Sequence, residues 1–185
     1  MIRPIFLYGS EVLRQVAAPA DIENGREEIT ALVSDLWETL KSSDGCGLAA
    51  PPIGVSQRVA VVDGDVMADS FPYLKGFRRC FINPVVLSVS DTQCEYEEGC
   101  LSVPGIYASV RRPESMEVEY YDENFTLKRE TFDKFACRMI QHEFSHLDGV
   151  LFTDIVAPIR RKMIGKKLQN IAQGKVRTAY KSKLK

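Results

Sequence analysis

Residues 141–146, QHEFSH, restrict this chain more than any other stretch. His142 and His146 are its only two histidines, and Glu143 stands between them. Four residues apart on a helix, two side chains stack on one face, so both imidazoles can reach a single ion. Glu143 lies about 100° round from His142, beside that ion without being forced to ligate it. The fold must therefore build a helix here and turn its histidine face toward a cavity. Two neutral imidazoles and a carboxylate able to take a proton from water suit metal-assisted hydrolysis.

A third ligand must be found elsewhere. No third histidine exists, no Glu follows Glu143, and Asp148, the nearer of the two later acids, sits too close behind the pair. Cysteine from upstream is the natural candidate. Cys137 points to about the opposite face of an ideal helix, and Cys80 and Cys94 stand in strand-like contexts. Cys100, in EEGCLSVPG, follows glycine and precedes proline at short range, a segment suited to turning a side chain into a cleft. Five cysteines make an odd count without the density of a disulfide scaffold, and each also reads as a small buried hydrophobe. A Cys–His–His set leaves one tetrahedral position open, as catalytic sites do.

Around this helix the pattern predicts an α+β fold. Ile29, Leu32, Val33, Leu36, Trp37 and Leu40 recur at helical spacing. Residues 57–63 and 80–90 are rich in β-branched side chains, and 115–122 alternates before a turn into TLKRETF, a hairpin. The histidine helix is expected over 132–147, with a short strand or loop after it. A last helix is expected over 158–173, starting at Pro158 and placing Ile159, Met163, Ile164, Leu168 and Ile171 on its apolar positions. Helix, strands, helix, helix in that order favours mixed or antiparallel sheets around a central metal-binding helix. The length suits one domain over residues 1–185.

Charge is unevenly spread. From Ile155 onward there are ten basic residues and no acids, leaving 14 basic against 25 acidic residues before it, a net of −11. The last helix and a basic tail from about residue 174 therefore suit an anionic partner, RNA or a membrane surface, or form a solvated face. The apolar run near the N-terminus is only four residues, too short for a signal peptide, and no long apolar span follows. A cytoplasmic protein is expected.

Three segments resemble the peptide deformylase family, in its order: GCGLAAPP (45–52), EGCLS (98–102) and QHEFSHL (141–147). RPIFLYGSEVLR near the start, INP at 82–84 and DGVLFTDIVAPIRRK after the histidines also agree, so the resemblance covers nearly the whole chain. It implies that Cys100, His142 and His146 bind one divalent ion, natively Fe(II), with Zn, Ni or Co able to substitute. It implies removal of the formyl group from the N-terminal formylmethionine of new polypeptides, with formate as product. Glu143 would act as general base and then acid, and the Leu101 amide would stabilise the developing oxyanion. Glu98 and Arg112 resemble a buried pair that braces the cysteine segment.

Helix spacing places Phe135 and Met139 on the histidine face, where they would line a slot for the methionine side chain. The segment holding Gly45, Cys46 and Gly47 resembles a wall whose backbone pairs with an extended peptide. The basic C-terminal helix would dock on the ribosome, with nascent formylmethionyl chains as substrate and no membrane partner. Two positions depart from the family. Pro52 stands where it keeps a glutamine whose amide donates to the oxyanion, and Gln57 is too distant to replace it. Ser145 stands where the family keeps an aspartate. Pro52 raises a second reading, a paralogue that binds formylated N-termini but hydrolyses them poorly.

Overall fold

The computed structural model describes residues 1–184. Lys185, the last of the ten basic residues, lies outside the described residues. Along the chain run β1 (Ile5–Phe6), α1 (Arg26–Lys41), β2 (Gly47–Ala49), β3 (Val59–Asp63), β4 (Arg78–Val89), β5 (Gln93–Cys100) and β6 (Val103–Pro113). There follow β7 (Ser115–Tyr121), β8 (Leu127–Asp133), α2 (Lys134–Leu147), α3 (Phe152–Ile155), α4 (Pro158–Ala172) and β9 (Ser182–Lys183). Five strands form one antiparallel sheet in the order β2-β3-β4-β7-β8, β5 and β6 form a separate hairpin, and β1 pairs with β9 in parallel.

The sequence VAVVD of β3 shows why the sheet sits where it does. Its first four residues are all buried, without polar alternation, because both faces are covered. Val59 and Val61 pack with Leu32, Leu36 and Ile29 of α1. Ala60 and Val62 face the other way, into a cluster with Met139, Ile140 and Phe144 of α2. The five-stranded sheet is thus a layer between α1 and the histidine helix. A third cluster joins Val103, Ile106 and Val110 of β6 to Ile164, Leu168 and Ile171 of α4.

Three expectations need correction. The histidine helix begins at Lys134, not 132, because Phe132 is a buried strand residue paired with Met116, and the chain leaves the sheet through Lys134 at φ 52°. The connection expected as strand or loop contains α3 instead. On α4, Ile159 and Met163 are exposed, so only Ile164, Leu168 and Ile171 form its buried stripe. The basic tail turns back after Gly174, at φ 70°, and β9 docks on β1. No helix among the described residues is long and apolar enough to cross a membrane.

Candidate metal centre and cleft

Helix α2 brings His142 and His146 to one face, their ring centroids 5.2 Å apart. Cys100 reaches them from the end of β5, where the ladder shifts register between Gly99 and Cys100 and Leu101–Ser102 turns the chain into β6. Its Sγ lies 3.3 Å from Nε2 of His146. Ligand atoms of Cys100, His142 and His146 all lie within 4.8 Å of one another. Bonds of about 2.0–2.3 Å meeting at tetrahedral angles would set such atoms roughly 3.3–3.8 Å apart; Cys100 and His146 stand at that separation, and this set of one sulfur and two nitrogens could hold one ion.

The field at the site favours a cation. Burial alone would lower the His142 imidazole, yet hydrogen bonds to Cys100 and Glu98 push it up to about 10. Burial likewise opposes ionisation of Cys100, and the charge of His146 with hydrogen bonds from both imidazoles brings the thiol down to about 5. A proton held on imidazole beside a thiolate occupies electrostatically the place a metal would take.

Glu98 orients this set. Its Oε2 accepts from Nδ1 of His142 at 2.8 Å, and its carboxylate also takes Arg112 Nε at 2.7 Å and Arg138 Nη1 at 2.7 Å. Burial works against the carboxylate, but His142 and Arg112 hold it well below the usual range. His146 has no hydrogen-bond partner for Nδ1, so packing and the contact of Nε2 with Cys100 set that ring. Sequence reading missed Arg138, which is 2% exposed and also binds the carbonyls of Val110 and Cys94. Its signal was available: it lies one turn before His142. Ser145 does two jobs, donating to the Gln141 carbonyl and accepting from Arg112 Nη1, each at 2.9 Å.

Glu143 lies in the same cleft, 5% exposed. Burial raises its pKa, the two imidazoles oppose that, and the Cys100 thiolate adds to it. Against it runs Gly47 of β2. A Cβ at Gly47 would come within 2.6 Å of Glu143 Oε1, so the strand can pass this close only as glycine. Neighbouring Cys46 is a neutral thiol, pushed up to about 12 by burial and by Glu143. The strand is an edge of its sheet, paired on one side by β3 alone.

The cleft between these walls holds about 410 Å³. Gly45, Cys46, Gly47, Cys100, Leu101, Phe135 and Met139 all line it, with Gly45 lying against the Leu101 side chain. Phe135 stacks on Phe71 with centroids 4.3 Å apart, while Met139 is 3% exposed and belongs also to the core. Pro52 lines the cleft from a short buried turn, Pro51–Ile53, and has no N–H or side-chain donor to offer. Gln57 pairs with Ala18 away from the cleft. Tyr180, from beyond α4, also lines it. Nothing local in the sequence marks that tyrosine; 79 residues separate it from Leu101, whose carbonyl it binds.

Residues 2–162 match the family model for polypeptide deformylase. A peptide deformylase of Flavobacterium psychrophilum is 40% identical over 191 residues, spanning 100% of this chain and 97% of that protein. The crystal structure of a peptide deformylase from Legionella pneumophila superposes with a TM-score of 0.81 at 34% identity, covering 96% of this chain and 99% of that one. That of the Thermotoga maritima peptide deformylase gives 0.76 at 33% identity, covering 99% of its own chain but 85% of this one.

Proposed function

The chain belongs to the polypeptide deformylase family, and from that premise we propose how its cleft removes the N-formyl group from nascent polypeptides. The observation that carries the proposal is the convergence of Cys100, His142 and His146 beside the buried carboxylate of Glu143. These three residues would hold one divalent ion, with Fe(II) as the native metal; one thiolate and two imidazoles also suit Zn, Ni or Co. When bound, the ion supplies Lewis acidity that polarises the formyl carbonyl and lowers the pKa of water.

The chain's own residues do the rest. The edge of β2 at Cys46 and Gly47 receives the peptide as an added strand, so binding depends on main-chain hydrogen bonds and little on sequence beyond the first residue. Phe135 and Met139 take the methionine side chain. Glu143 removes a proton from the attacking water and returns it to the amine as the carbon–nitrogen bond breaks, leaving formate and a free N-terminus. The Leu101 amide donates to the oxygen that gains charge. Glu98, braced by Arg112 and Arg138, keeps the Nδ1 proton of His142 so that Nε2 stays free for the ion.

The protein works in the cytoplasm, and the basic face of α4 docks it on ribosomal RNA, where its substrates emerge. The comparisons give no support to the reading as an impaired paralogue. Ligand and base variants test the assignment. Cys100→Ser, His142→Ala and His146→Ala each lose both metal and formate release, whereas Glu143→Gln keeps one metal per chain and loses only formate release. Metal loss with Glu143→Gln, or full activity in any ligand variant, contradicts it.

A further inference from the structure

The Leu101–Ser102 turn is held from outside its own hairpin. Tyr8 N donates to the Ser102 carbonyl at 2.7 Å, and the Tyr180 hydroxyl donates to the Leu101 carbonyl at 2.5 Å. Those two residues come from opposite ends of the chain, which are themselves joined. β1 pairs with β9, and the amides of Ile5 and Leu7 donate to the carbonyls of Lys181 and Lys183 at 2.9 and 3.0 Å.

The C-terminal segment is built to place Tyr180 there. Helix α4 closes with Lys175 N on the Asn170 carbonyl, and the chain reverses at Gly174. Val176 and Leu184 pack on the cluster between β6 and α4, while Tyr180 packs with Leu101 on the cluster beneath α1. Between them Thr178 Oγ1 bonds the Tyr180 carbonyl and the Ser182 hydroxyl, both at 2.7 Å, fixing the local bend. All of this lies past residue 162, outside the stretch that matches the family model. Inside that stretch Pro52 removes an amide donor that the resemblance leads one to expect at the oxyanion.

We propose that Tyr180 is a positioning residue for deformylation: its hydroxyl, carried on the C-terminal strap, fixes the Leu101 backbone so that the Leu101 amide meets the developing oxyanion. The inference rests on the assignment of that amide as oxyanion donor. With Pro52 unable to donate, the reaction leans on this one amide, and its orientation depends on a turn whose two carbonyls are clamped by the chain termini. A hydrogen bond made only to the developing charge lowers kcat and kcat/KM together when it is spoiled and leaves KM alone.

The test uses the full-length, Ni-loaded protein and its Tyr180→Phe variant, which keeps the ring and removes only the hydroxyl. Formate release from formyl-Met-Ala-Ser, metal content, melting temperature and hydrogen exchange at the Leu101 amide are compared. The expected result is a kcat lower by about tenfold, a fraction of what loss of a whole oxyanion donor costs. KM and metal content stay unchanged, and Leu101 exchanges faster. A kcat within twofold of the parent overturns the proposal. If exchange then still accelerates, the strap holds the turn and the fault lies with the donor role of Leu101. If exchange is also unchanged, the strap does not hold the turn.

Discussion

Glu98 Oε2 accepts a hydrogen bond from Nδ1 of His142 at 2.8 Å, which fixes the tautomer and turns Nε2 toward Cys100. The same carboxylate neutralises two buried guanidiniums, Arg112 and Arg138. Its removal therefore acts on stability and on metal affinity by separate routes. Glu98→Ala leaves two cations uncompensated and is expected to destabilise the fold by about 3–5 kcal/mol. Glu98→Gln keeps the shape and is expected to weaken metal binding by about 10–100-fold. Denaturant unfolding and chelator competition measure the two effects. Metal affinity unchanged in Glu98→Gln would remove the orienting role.

Glu143 is buried, and burial raises its pKa from the ordinary 4.5. Acting as the proposed base it works ionised, so kcat/KM should rise with pH through an acid limb that lies above 4.5. The bound cation acts in the same direction as the two imidazoles and pulls the limb back toward that value. A profile of formate release between pH 4 and 9 checks this. An acid limb below 4.5 would contradict burial as the dominant influence.

Gly47 owes its identity to Glu143. A methyl group there would press on the carboxylate at 2.6 Å, so either the strand or the base must move. Gly47→Ala is expected to lower kcat/KM by about 10²-fold with metal content unchanged, since misplacement of a reacting group by about 1 Å has that effect. Steady-state kinetics beside metal analysis decides it; an active variant would show that the carboxylate has room to retreat.

The exposed Lys166 and Lys167 lie on α4 among residues with no acidic neighbour after Ile155. The proposed docking on ribosomal RNA should therefore weaken steeply with salt. The double variant Lys166→Glu and Lys167→Glu should flatten the log–log salt slope by about 2. Co-sedimentation with ribosomes across salt concentrations reads this slope. A slope unchanged by the double variant would place the contact elsewhere.

What the sequence showed followed the range of each interaction. The helix of His142 and His146 and the pattern of α1 are local, set by spacing along a few turns, and both are present in the structure. Strand β2 was not legible because three residues, Gly-Leu-Ala, carry no periodicity and are held by pairing with β3. Of the β5–β6 hairpin only Cys94 stood out as strand-like; the rest of its acidic first strand carries no apolar stripe, and Arg112 and Arg138 reach it from other elements to neutralise Glu98. Tyr180 was invisible because the parallel pairing of β1 with β9 brings it home from the far end of the chain. Ile159 and Met163 fit the apolar stripe of α4 by spacing yet stay exposed, since periodicity does not tell which turns find a partner.

The most direct test is formate release from a formyl-Met tripeptide by the Fe(II)-loaded protein, measured beside Pro52→Gln. Pro52 offers no donor where the resemblance leads one to expect an amide, while the proposed Leu101 donor, the three candidate ligands and Glu143 are untouched. The parent is expected to turn over with kcat on the order of 1 s⁻¹ or faster, and Pro52→Gln to gain at most about tenfold, less than a full oxyanion donor contributes. A parent that releases no formate while Pro52→Gln does would contradict the reading of this cleft as a working deformylase site.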